Sequence, residues 1–290
     1  MITDELRHRI LILDGATGTV LQQYGLTEAD FRGERFANHP VPLKGDHDLL
    51  NLTRPDIVRQ THQDYIRAGA DIIKTNTFNA NAVSQSKYDC AGLAAELNRT
   101  GAQIARQSAD ECSDRRIFVA GSIGPTDKSL TLATDPDNPT RRAADFDTLA
   151  QAYSEQTKAL IEGGVDLLLV ETIFDGLNAK AALYAIARTQ EELGTAVPVM
   201  LSATVNDRGG RILTGQSLEA LFNSLSHYPM LSFGLNCSFG AADLYPFVRE
   251  LAPRMPHYFS LHPNAGLPDE LGAYQETPAH IAQELRKMGE

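Results

Sequence analysis

Short apolar runs recur along the chain, and each is followed by an amphipathic stretch. Seven of them are strand-length. They are RILILDG (9–15), DIIKTNTF (71–78), RIFVAGSIG (116–124), DLLLVETIF (166–174), PVMLSATV (198–205), MLSFGLNC (230–237) and HYFSLHPNAG (257–266). Each is apolar enough to be covered on both faces, as strands of a parallel sheet are. The stretches between them carry helical periodicity. Residues 56–70 place Ile57, Tyr65 and Ile66 near one face and stop at Gly69. Residues 146–164 bring Leu149, Tyr153, Ala159 and Leu160 together and stop at Gly163 and Gly164. Residues 176–193 follow Asp175, a good N-cap. DLYPFVREL (243–251) and TPAHIAQELRKM (277–288) supply two more helices, the second with Thr277 as N-cap and Pro278 in its first turn.

Strand alternating with helix predicts an α/β fold with a parallel sheet. Seven strands point to a (β/α)8 TIM-type barrel. The count is one short, so the expectation is a single barrel domain over residues 1–290 that lacks its eighth strand and final helix. Active sites of such barrels lie at the C-terminal ends of the strands. Those ends are polar here: Asp14 before GATGT, KTNTFNAN (74–81), GSIGPT (121–126), Glu171 with Thr172, Asn236 with Cys237, and HPNAG (262–266). Two acids, several amides and hydroxyls and one thiol are therefore expected on one rim.

Composition narrows the function. The 290 residues are 42% hydrophobic and 22% charged, ordinary for a soluble globular protein. A net charge of −11 argues against nucleic acid as a partner, which needs a basic patch. No apolar run approaches the ~20 residues of a membrane span, and the N-terminus has no signal-like apolar run. A cytoplasmic location is expected. The three cysteines, Cys90, Cys112 and Cys237, form neither a CxxC pair nor a disulfide framework. Zinc held by this chain alone would need other ligand types, or ligands the chain lacks.

Each candidate also has a plainer reading. Asp14-Gly15 is a turn signal. Glu171 follows LLLV, and a buried acid there needs a partner. Thr75 and Thr77 read as strand residues with satisfied hydroxyls. Lys74 suggests a Schiff base, but its parity is opposite to theirs, which favours a surface or ion-paired role. Cys90 and Cys112 flank a helical stretch and read as filler or a helix end. Cys237 by itself is a small buried hydrophobe.

Together the motifs have a family likeness. DGATGT (14–19), NLTRPD (51–56), AGADIIKTNTFNAN (68–81), GSIGPT (121–126), LLLVETIFDGLNAKAA (167–182), TGQSLEAL (214–221), FGLNCS (233–238) and HPNAGLPD (262–269) occur in this order. The set resembles the homocysteine S-methyltransferase family over nearly the whole chain. The wording is most similar to the N-terminal homocysteine-binding module of cobalamin-dependent methionine synthases. The resemblance implies a zinc barrel in which three cysteine thiolates hold the metal and L-homocysteine sulfur takes an open position. Zinc lowers the pKa of a bound thiol, so the substrate thiolate would attack the methyl group of methylcobalamin. That methyl group would come from 5-methyltetrahydrofolate, with cobalamin and folate held on partner modules. No side chain is expected to act as acid or base. Residue by residue, the resemblance assigns Cys237 as a zinc thiolate and Asn264 as a neutral zinc ligand. It assigns Asp14, Gly15, Thr75 and Glu171 to homocysteine.

One departure stands out. The family pattern places two adjacent cysteines on the eighth strand, and no cysteine follows Cys237 here. The expectation is an incomplete zinc site and a fragment inactive by itself. Two alternatives stay open: a free-standing homocysteine methyltransferase with a sulfonium or betaine donor, and a non-catalytic barrel that binds an amino acid. A lyase or aldolase using Glu171 or Lys74 would need a phosphate site or a placed lysine, and neither motif is evident.

Overall fold

A computed structural model describes residues 1–266 and 276–289. Six strands form one sheet in the order of the sequence: β1 (Ile72–Lys74), β2 (Phe118–Ile123), β3 (Leu167–Ile173), β4 (Val199–Ala203), β5 (Ser232–Gly240) and β6 (Tyr258–Asn264). The pairs β1–β2, β4–β5 and β5–β6 run parallel. Helices Ala94–Asp110, Phe146–Glu162, Gly176–Leu193, Leu218–Leu225 and Ala241–Leu251 cross between successive strands. Parallel neighbours require such crossovers, since a tight turn cannot return the chain to the starting end. An order without reversal is that of a (β/α) barrel, whereas doubly wound sheets reverse at a switch point.

The first apolar run does not form a strand, which corrects the count of seven. Leu13 makes one parallel bridge to Ile72. Ile12 O accepts from the N–H groups of Asp71 and Ile72 at 2.8 and 3.0 Å, and Asp14 N–H donates to Ile72 O at 2.9 Å. Ile10 and Ile12 are 69% and 55% exposed. Among the described residues nothing extends the ladder beyond that single bridge.

The chain divides into two compact units. The first comprises Met1–Lys128, Asp145–Leu169 and Ala181–Pro198, and the second Ser129–Ala144, Val170–Lys180 and Val199–Glu290. In the first unit, helix Pro55–Ala68 opens on a proline, where no intrahelical N–H is needed, and closes at Gly69 with φ 108°. Its buried face, with Ile57 and Val58, joins a core with Leu21, Phe31, Leu43, Leu49, Leu50 and Leu97. Two short helices that periodicity does not predict, Thr17–Gln23 and Glu28–Arg32, feed this core. The irregular chain after them is organised by two side chains. Glu28 accepts from the N–H groups of Leu43 and Lys44 at 2.9 and 2.7 Å. Arg32 donates to the carbonyls of Phe36, His39 and Val41. Backbone groups that would otherwise lack partners are thereby satisfied.

In the second unit, β4, β5 and β6 stack in register, with Leu201 opposite Phe233 and Phe233 opposite Phe259. Helix Gly176–Leu193 keeps the expected limits. Helix Pro278–Gly289 begins at the expected proline, and Thr277 Oγ1 accepts from His280 N–H at 3.3 Å. No helix among the described residues is long and apolar enough to cross a membrane.

Candidate functional site

The candidate residues fall into two clusters, one in each unit. In the first unit, Asp14 is buried and its Oδ2 accepts the backbone N–H of Lys74 at 2.8 Å. The carboxylate therefore sits at the end of β1. Gly15 lies against Tyr65: a Cβ there would be 2.5 Å from Tyr65 Oη and 2.7 Å from a ring carbon. Only glycine admits the ring at this distance. Burial, and then the charge of Asp14, raise the Tyr65 hydroxyl above its ordinary pKa. Sequence periodicity puts Tyr65 on an apolar helix face and gives no signal for this approach.

Thr75 is also buried, with both directions of its hydroxyl in use. Its Oγ1 is 2.6 Å from Thr77 Oγ1 and accepts Ser122 N–H at 2.9 Å. Thr77 in turn donates to Ser122 O at 2.8 Å. The plain reading of these threonines therefore holds for their hydroxyl bonds. Lys74 is buried, which removes the surface reading of its side chain.

The second cluster is built on β3, β4 and β5. The β5–β6 register passes from Asn236 opposite His262 to Gly240 opposite Asn264, so four steps along β5 face two along β6. The surplus is a bulge, and Cys237 and Ser238 within it have φ of 59° and 66°. Thr172 on β3 has φ 59° as well. A left-handed conformation costs a non-glycine residue on the order of 1–2 kcal/mol, and β-branched Thr172 is a marked outlier. Three such residues persist only where surrounding contacts impose them.

Asn236 supplies those contacts. It is 3% exposed. Its Oδ1 accepts from Thr172 N–H at 2.9 Å and from the Ser202 hydroxyl at 2.7 Å. Its Nδ2 donates to Thr172 Oγ1 at 2.8 Å and to Cys237 Sγ at 3.1 Å. All four hydrogen-bonding positions of the amide are used. Alongside, Ser238 Oγ and Thr204 Oγ1 are 2.5 Å apart. Glu171, adjacent to Thr172, is buried. Asn264 is half-buried at the end of β6, opposite Gly240. The expected HPNAGLPD motif continues into residues 267–269, outside the described residues.

A third feature went unread in the sequence beyond its capping signal. Asp175 does cap helix Gly176–Leu193, its Oδ1 accepting Leu177 N–H at 2.8 Å. It also takes the Ser129 hydroxyl at 2.5 Å, the Thr131 hydroxyl at 2.7 Å and Thr131 N–H at 3.0 Å. Burial pushes its pKa upward, but these donors outweigh burial and hold it below the ordinary value. The carboxylate thus ties the segment Ser129–Ala144 to the end of β3.

The thiols do not assemble. Cys90 lies in the first unit's core, where burial, then the charges of Asp46 and Asp89, push its pKa up to about 11. Cys112 is beyond the end of helix Ala94–Asp110 and its thiol donates to Asp114 Oδ1 at 3.2 Å. Among the described residues no group of three His, Cys, Asp or Glu side chains could hold a metal ion.

The model of one protein family, homocysteine S-methyltransferase, matches residues 11–290. Among solved structures, the metallated form of the homocysteine methyltransferase MmuM from Escherichia coli is 22% identical with a TM-score of 0.73, over 99% of each chain. Its oxidized form is 21% identical with a TM-score of 0.73, over 98% of this chain and 89% of that one. Its apo form is 23% identical with a TM-score of 0.65, over 98% and 97%. At these identities the structural likeness is one of fold.

Proposed function

Because the chain belongs to the homocysteine S-methyltransferase family, we propose that it binds L-homocysteine and readies the substrate sulfur to accept a methyl group. The single observation that carries the proposal is Cys237: a thiol on left-handed backbone in the bulge near the C-terminal end of β5, bonded by a buried amide. Strain concentrated at strand ends is characteristic of functional sites, and the C-terminal strand ends are where parallel α/β folds keep their chemistry. The six strands would then be part of a (β/α)8 barrel, with residues 1–290 as one homocysteine-binding domain.

The roles are assigned residue by residue from the family motifs. Asp14 and Glu171 are carboxylates suited to the substrate ammonium group. Thr75 and the backbone of Gly15 would add substrate contacts. Cys237 and Asn264 would be metal donors. Thiolate donors suit zinc, but the described residues do not make a complete site for it. Cys237 is the only cysteine after Cys112, and neither Cys90 nor Cys112 joins a metal-holding group. What these residues offer is substrate binding and one positioned sulfur. The finer proposal is that of a methionine synthase module: methylcobalamin on a partner module donates the methyl group, which derives from 5-methyltetrahydrofolate. The wording of DGATGT and TNTFNAN supports it.

The test is calorimetric titration of the 290-residue chain with L-homocysteine, with L-methionine and L-cysteine as comparisons. Homocysteine should bind in preference, and Glu171→Gln should weaken binding by about tenfold, the worth of one charge-assisted contact. Absence of homocysteine binding would leave the non-catalytic alternative.

A further inference from the structure

We infer that Asn236 is the positioning residue of the Cys237 sulfur, a role that rests on the proposal that Cys237 is the functional thiol. The amide is buried and every donor and acceptor it has is committed. Three of its four bonds go to Thr172 and Ser202, on β3 and β4. These leave the side chain one orientation. The fourth, from Nδ2, then has a fixed direction, and Cys237 Sγ lies 3.1 Å along it.

The backbone argues the same way. A regular strand would turn the side chains of Asn236 and Cys237 to opposite faces. The left-handed φ values at Cys237 and Ser238 break that alternation. The thiol can therefore lie beside the amide of its own neighbour. Thr172 is held left-handed by the same amide, through its N–H and its hydroxyl. A purely structural clamp between β3 and β4 would not need the bond to sulfur. A donor aimed at sulfur fixes the direction of its lone pairs, which is what a ligating or nucleophilic thiol requires.

The decisive variant is Asn236→Asp. It keeps the shape and the two bonds accepted at Oδ1 but puts a carboxylate oxygen where the N–H met sulfur. The measurement is the rate at which iodoacetamide alkylates each cysteine, resolved by peptide mass spectrometry, with Cys112 as internal reference. In the folded variant the Cys237 rate should fall at least fivefold while the Cys112 rate stays within twofold. A Cys237 rate unchanged within twofold would overturn the role. Should Asn236→Asp fail to fold, Cys237→Ser and Cys237→Ala decide. Serine keeps an acceptor for Nδ2 and alanine strands a buried N–H, so the alanine variant should melt several degrees lower. Equal melting of the two would overturn the inference. Homocysteine is absent from these measurements, so failure of substrate binding, read by calorimetry, is distinguishable from failure of the Asn236 role.

Discussion

The ring of Tyr65 occupies the space that a side chain on Gly15 would need, with Oη 2.5 Å from the position of its Cβ. This contact joins helix Pro55–Ala68 to the loop after Asp14, within the first unit. Gly15→Ala must displace the ring or the loop. Overpacking of this kind costs about 1–3 kcal/mol. Urea unfolding should show a loss in that range, and Gly15→Ala in a Tyr65→Ala background should lose much less. Equal losses in both backgrounds would show that Tyr65 is not the obstacle.

His62 gives the fold a pH limit. It is fully buried on helix Pro55–Ala68, and neither ring nitrogen has a partner among the described residues. Burial lowers its pKa from 6.5 to about 4. The folded state keeps the ring neutral while the unfolded state takes up a proton. Stability is therefore complete above pH 6.5 and falls as pH drops from 6.5 towards 4, by roughly 3 kcal/mol in all. Urea midpoints between pH 7 and 4.5 should decline accordingly, and His62→Leu should flatten the decline over this window. The same slope in the variant would place the acid sensitivity elsewhere.

Local signals made much of the fold legible. Asp175 and the periodicity after it gave helix Gly176–Leu193 its limits, and Gly69 ended its helix as a left-handed C-cap. What failed depended on partners distant in sequence. Residues 9–15 read as a strand, but a strand needs a ladder, and only Leu13 found a bridge. The short helices near residues 17–32 span too few turns for a period to emerge. In the site, Cys237 and Glu171 stood out as polar residues at strand ends. Thr172 did not, because a β-branched residue in an apolar run signals extended backbone. Its left-handed turn follows from Asn236, 64 residues away. The closing of Tyr65 on Gly15 is likewise a tertiary event with no local trace.

Asp48 should make the first unit sensitive to alkali. Burial, and then the charge of Asp46, raise its pKa from 3.8 to about 8, while its Oδ1 accepts Asn79 N–H at 2.9 Å. The folded state holds a proton that the unfolded state has released. Stability from this proton is present below pH 3.8 and is lost as pH rises through 8. Asp48→Asn keeps an acceptor for Asn79 without a charge. Its thermal midpoint should change less between pH 6 and pH 9 than that of the unsubstituted chain. An unchanged difference would mean that Asp48 is already ionised at pH 6.

Asp175 should control the segment Ser129–Ala144. Its carboxylate receives two hydroxyls and a backbone N–H from Ser129 and Thr131 while capping its helix. Asp175→Ala removes all of these and leaves the donors to find water. The segment carries Arg141 and Arg142, and Arg142 is itself bonded to Leu130 O and Pro139 O. Limited trypsin digestion should cut after Arg141 or Arg142 at least tenfold faster in the variant, since cleavage follows the population of the locally open state, and tenfold corresponds to about 1.4 kcal/mol. Asp175→Asn keeps acceptors for part of the set and should fall between the two. Cleavage at the unsubstituted rate in Asp175→Ala would show that other contacts hold the segment, and the assignment of Asp175 as its anchor would fail.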